Sequence, residues 1–130
     1  DLVKIYFQKK KDFLFNCDEL QITQVFNNLI QNSINSIIEN NKSDGEIYIK
    51  INESNNQLSL KIIDNGIGVV NTKSELIEPY FTTRKKSGGT GLGLSIVNKI
   101  ITDHNGILEI SNNNDSNGAL IKIIFNLINE

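Results

Sequence analysis

Tryptophan and methionine are absent from this chain, and cysteine, proline and histidine occur once each. The lone Cys17 excludes an intrachain disulfide and any metal centre built on paired cysteines, and it fits a reducing compartment. No apolar run reaches membrane-spanning length, and the N-terminus carries no signal-peptide pattern. An excess of positive charge is missing too. Thirteen Lys and Arg stand against fifteen Asp and Glu, a formal net charge of −2, so no nucleic-acid partner is expected. A cytoplasmic location is expected, with any membrane anchor outside this segment. The one dense basic cluster beyond Lys9-Lys10-Lys11 is Arg84-Lys85-Lys86, immediately before a glycine run, where a phosphate ligand explains it best.

A length of 130 residues suits one domain with one core, so residues 1–130 read as a single domain. The chain enters directly in an extended-looking segment, which suggests a piece of a longer protein. Residues 2–7 read as an edge strand and 13–15 as a short second strand. Asp18 is a good helix N-cap, with Gln21 at the capping-box position. From there to Asn40, Ile22, Val25, Phe26, Leu29, Ile30, Ile34, Ile37 and Ile38 fall at helical spacing. A polar stripe of Gln21, Gln24, Asn28, Asn32 and Asn35 runs beside them. Two alternating segments, 46–53 and 58–62, flank Asn55-Asn56 and read as a hairpin. By the two-residue period of a strand, Asp64 faces the same side as Leu58, Leu60 and Ile62. Residues 69–89 lack periodicity and form a long connection of the kind that serves as a lid. A second helix spans 91–104 and stops at Asn105-Gly106. Residues 107–111 and 119–127 are the last two strands.

Three constellations carry chemistry. Asn28 and Asn32, four residues apart, share one helix face; a solvated polar face is the plain alternative. Asp64-Asn65-Gly66-Ile67-Gly68 places a carboxylate at a strand end before two glycines, which permit a tight turn or close approach to a planar ligand; a simple Asn-Gly turn is the alternative. Gly88-Gly89-Thr90-Gly91-Leu92-Gly93-Leu94 opens a helix, where free N–H groups and the helix dipole suit an anion. It is neither a Walker loop nor a dinucleotide fingerprint, because the terminal Lys-Ser/Thr and the preceding strand are missing.

In order and spacing these segments resemble the ATP-binding domain of sensor histidine kinases. That family sits in a superfamily shared with type II topoisomerases, a chaperone class and mismatch-repair ATPases. The resemblance lies in Gln24-Val-Phe-Asn-Asn-Leu-Ile-Gln-Asn-Ser33, Asp64-Asn-Gly-Ile-Gly68, Glu78-Pro-Tyr-Phe-Thr-Thr83 and Gly89-Thr-Gly-Leu-Gly-Leu94, and covers nearly the whole chain. It implies an α+β, two-layer α/β sandwich: a mixed, mostly antiparallel sheet of about five strands packed on about three helices, the Bergerat ATP-binding fold. It implies ATP and Mg²⁺ as ligands. Asn32 would coordinate the metal and Asn28 assist with metal or phosphate. Asp64 would accept from the adenine amino group, with Gly66 and Gly68 letting the chain pass close to the base and Ile67 and Leu94 walling it. Gly89, Thr90, Gly91, Leu92 and Gly93 would meet the phosphates, and Thr83, Arg84 and Lys85 would belong to the lid side of the site.

Hydrolytic members of the superfamily carry Glu where this chain has Asn28. An amide is no general base, so water attack should be poor and a kinase role is favoured. The implied partners are a phosphoacceptor and dimerisation domain outside this segment and a response regulator. This segment is expected to be monomeric and the full-length protein a homodimer. A serine kinase of the anti-sigma-factor or dehydrogenase-kinase type shares the same boxes, and a non-catalytic ATP-dependent module is the third reading. His104 reads as a structural histidine at a helix end. Two departures stand out: Ile77 where an aromatic is usual, and Ser33 where alanine is commoner.

Overall fold

The computed structural model describes residues 3–9, 15–40, 44–69, 73–78, 93–113 and 118–127. Helix α1 (Glu19–Glu39) lies between strand β1 (Lys4–Lys9) and the hairpin β2 (Glu46–Ser54) and β3 (Gln57–Asp64). A one-turn helix α2 (Lys73–Leu76), helix α3 (Gly93–Asp103) and the hairpin β4 (Gly106–Asn112) and β5 (Ala119–Asn126) complete the order. The strands form one sheet, β1-β2-β3-β5-β4, parallel at β1–β2 and antiparallel elsewhere. This is the expected mixed, mostly antiparallel five-stranded sheet with helices packed on it.

Alternation in the strands decides which face meets the helices. Ile47, Ile49, Leu60, Ile62, Leu108, Ile121, Ile123 and Phe125 are buried together with Val25, Leu29 and Ile37 of α1 and Val97, Ile100 and Ile101 of α3. Leu29 is fully buried; its truncation to Ala would cost about 2–5 kcal/mol. The β2–β3 hairpin turns on Asn55 and Asn56, both at positive φ (52° and 60°). Two left-handed residues match the twist of the flanking strands, and Asn tolerates that conformation best among non-glycine residues. Asn105, also at φ 60°, ends α3. Gly106 then begins β4 so close to Phe125 and Ile101 that a side chain would collide with them.

Four expectations change. Phe15 joins no strand: it is half-buried, with its ring 4.5 Å from Phe125. Residues 13 and 14 lie outside the described part. Ile38 turns outward and is 62% exposed, because a 21-residue helix on one sheet cannot bury every apolar position of its stripe. The connection after Val69 contains α2, too short to show a period. The capping box is half realised. Asp18 accepts from Gln21 N–H at 3.1 Å, but the Asp18 N–H donates to His104 Nε2 at 3.0 Å. His104 Nδ1 sits 2.8 Å from the Ile100 carbonyl. Both ring nitrogens are therefore engaged with Nδ1 as donor, and His104 ties the end of α3 to the start of α1.

Candidate functional site

A cavity of about 300 Å³ opens where α1, the end of β3 and the start of α3 converge. This is the size of a small ligand pocket. Asn32, Ser33 and Ser36 line it from α1, and Asp64, Ile67 and Gly68 from the end of β3. Leu76, Leu94, Ile110 and Ile121 supply much of its apolar wall. Asn28 sits one turn further toward the helix N-terminus and does not line it.

Asp64 is the buried carboxylate of this pocket, at 3% exposure, as strand parity requires. Its Oδ1 accepts from Gly66 N–H at 2.9 Å and Ala119 N–H at 3.2 Å. Two backbone donors on one oxygen orient the carboxylate and offset part of its desolvation. The segment after it is held just as firmly. Ser36 Oγ accepts from Ile67 N–H at 2.9 Å, and Asn40 Nδ2 donates to the carbonyls of Asn65 and Gly66, 3.4 Å each. Asn65 bridges to the start of β2, accepting from Glu46 N–H at 2.9 Å and donating to the Asp44 carbonyl at 3.0 Å.

The glycines divide by role. Gly66 is buried against α1, where a side chain would run into Ser36, so the close approach it permits is to the helix. Gly68 has φ 78° and lines the cavity. Gly118 packs on the Asp64 carbonyl and would collide with it if substituted. Gly93 opens α3, with no described residue within 4 Å of where a side chain would stand. Thr83, Arg84, Lys85, Gly89, Thr90, Gly91 and Leu92 lie outside the described residues.

Asn28 and Asn32 are half-buried, and their side chains make no hydrogen bond among the described residues. Ser33 Oγ is the one buried side-chain polar atom there without a partner. No group of three or more His, Cys, Asp or Glu gathers among the described residues. A metal here would draw on an amide oxygen such as that of Asn32, a hard donor suited to Mg²⁺ when phosphates supply the charge.

The structural roles of Ser36, Asn40, Asn65 and Gly118 were not foreseen from sequence. Ser36 and Asn40 had a signal: Asn28, Asn32, Ser36 and Asn40 continue at four-residue spacing on one face. Asn65 stands inside the Asp64–Gly68 motif, and Gly118 inside Asn117-Gly-Ala119, which also resembles a family position; their roles were not readable because their partners are remote in sequence. Away from the cavity Cys17 is exposed, and local desolvation, then the charges of Glu19 and Asp18, push its thiol pKa above the ordinary value.

Residues 17–128 match the family described as histidine kinase-, DNA gyrase B- and HSP90-like ATPases. An NtrY-like sensor histidine kinase sequence of Rickettsia bellii is 41% identical over 119 residues, 88% of this chain and 18% of that protein. The nitrogen regulation protein NtrY of Azorhizobium caulinodans is 36% identical over 110 residues, 82% of this chain and 14% of that protein. The chain thus spans under a fifth of the length of these relatives. Among solved structures, the nucleotide-free catalytic domain of histidine kinase ThkA superposes with a TM-score of 0.78 at 28% identity, covering 95% of this chain and 77% of that one. No helix among the described residues is long and apolar enough to cross a membrane.

Proposed function

The chain belongs to the histidine kinase-, DNA gyrase B- and HSP90-like ATPase family, as an ATP-binding catalytic domain of the sensor histidine kinase type, and from that premise we propose how its residues divide the work. The Asp64 cavity takes the adenine, with the Asp64 carboxylate accepting from the exocyclic amino group. Ile67 and Leu94 cover the ring, and Gly68 keeps the rim narrow. Asn32, with Asn28 one turn behind it, faces the phosphates. Bound there, Mg²⁺ would supply charge neutralisation across the phosphate oxygens. The backbone of Gly89, Thr90, Gly91, Leu92 and Gly93 is assigned the phosphates on motif alone, as are Thr83, Arg84 and Lys85 on the lid side.

The whole protein would pass the γ-phosphoryl group to a histidine on a separate helical domain, and from there to a response regulator. It would act as a homodimer with this domain on the cytoplasmic side. Asn28 favours transfer over hydrolysis, since an amide cannot deprotonate water. In isolation the domain should bind ATP and turn it over slowly.

The observation that carries the reading is Asp64: a carboxylate at 3% exposure lining the cavity, its plane set by two backbone donors. Fluorescent ATP-analogue titration tests it. Asp64→Ala should weaken binding by about 100-fold or more while the circular dichroism spectrum stays native. Affinity equal to wild type would refute the adenine assignment.

A further inference from the structure

The cavity rim, residues 65–69, is tied to α1 by Ser36 and Asn40. On the opposite side it is tied to β4 by one side chain. Asn112 Oδ1 accepts from Val69 N–H at 2.7 Å, and Asn112 Nδ2 donates to the Val69 carbonyl at 2.8 Å. A primary amide placed this way reproduces one rung of a β ladder, donor and acceptor in one plane against the acceptor and donor of one residue. Carboxylate lacks the donor, and a serine hydroxyl is too short and single-atomed to bridge both groups.

The anchor matters because of what it joins. Asn112 pairs in register with Ala119, whose N–H holds Asp64 Oδ1. Gly68 and Val69 both line the cavity, and Gly68 at φ 78° has the least intrinsic backbone stiffness of any residue type. The rim beside it is placed by its two anchors, Ser36 on Ile67 upstream and Asn112 on Val69 downstream. We infer that Asn112 is a positioning residue of the pocket, fixing the rim at Gly68 and Val69 relative to the Asp64 floor. This rests on the reading of the cavity as the adenine site. Without the clamp, only a fraction of molecules hold the rim in the binding geometry, and apparent affinity falls by that fraction.

Calorimetric titration of this chain with adenosine and with ADP, below the melting range of each variant, is the test. Asn112→Ala should bind both about fivefold more weakly, by the same factor, because both use the base end. Hydrogen exchange at the Val69 amide should quicken. Asn112→Asp, which keeps the acceptor and loses the donor, should also bind both ligands more weakly. A role confined to folding would lower the melting temperature and leave these affinities unchanged. Wild-type affinity in Asn112→Ala and Asn112→Asp, with the Val69 amide exchanging faster, overturns the positioning role alone. So does a loss for ADP clearly larger than that for adenosine. A wild-type chain that binds neither ligand removes the adenine reading and this role with it.

Discussion

The two ends of the site are built differently, although one helix serves both. At the Asp64 end, Ser36, Asn40, Asn65 and Asp64 all spend polar atoms on main chain, and Gly66 and Gly118 are packed without room for a methyl group. One to two turns earlier on α1, the amides of Asn28 and Asn32 have no hydrogen-bond partner among the described residues. On the proposed assignment of the base to one end and the phosphates with their metal to the other, the difference has a physical reason. A flat, neutral base is recognised by few contacts, so the acceptor must be oriented in advance. A cation with its phosphates brings strong fields and organises loose amides on arrival.

The sharpest way to break this contrast is at Gly66. Gly66→Ala should destabilise the apo domain by about 1–3 kcal/mol, through the collision with Ser36, as read by urea unfolding. Little change would mean the rim is not packed as described. Next comes the open end. Asn32→Ala should leave apo stability within about 0.5 kcal/mol of wild type and remove roughly tenfold of the affinity gain that Mg²⁺ gives ATP. An unaltered Mg²⁺ response would rule out that metal role. Asn40→Ala probes the built end more gently. It should cost about 1 kcal/mol of stability, for two long hydrogen bonds of 3.4 Å, and weaken nucleotide binding less than Gly66→Ala does.

The smallest effect lies outside the site, where neither design applies. The Tyr48 hydroxyl donates to Glu46 at 2.7 Å, and that bond raises its pKa above the ordinary value of 10.0. The folded-state value exceeds the unfolded one. The contribution is therefore complete below pH 10 and disappears as pH rises through the higher folded-state value. Tyr48→Phe should be slightly less stable than wild type at neutral pH and show a flatter loss of stability in that alkaline window, so that the two curves converge there. Parallel curves for the two proteins there would show the bond to be without effect.

Much of the fold was legible because its signals are periodic. Period 3.6 marked α1 and α3, and period 2 marked β2 and β3 and placed Asp64 inward. Asn55-Asn56 and Asn105 announced their turns through tolerance of positive φ. What escaped was aperiodic: α2, with one turn, and Phe15, whose place depends on Phe125. In the site, spacing on one helix exposed Asn28 and Asn32, and the same four-residue step continues to Ser36 and Asn40. Gly66 was legible as a close-approach glycine, but its partner was not: the near neighbour is Ser36, thirty residues earlier in the chain.

By itself the sequence determined the types of the periodic elements, the inward carboxylate, the polar face of α1 and the family, since each depends on residues close in the chain or on motif order. Only the tertiary structure decided what Asn65, Gly118, His104 and Asn112 do. Each acts across a gap of many residues on a remote backbone group: for His104 the start of α1, and for the other three a group placed by the sheet order β1-β2-β3-β5-β4, where β5 inserts beside β3. That insertion brings Ala119 to Asp64 and Asn112 to Val69. A polar side chain carries no mark of which distant peptide it will meet, because one amide can satisfy any main-chain donor and acceptor that the fold presents to it.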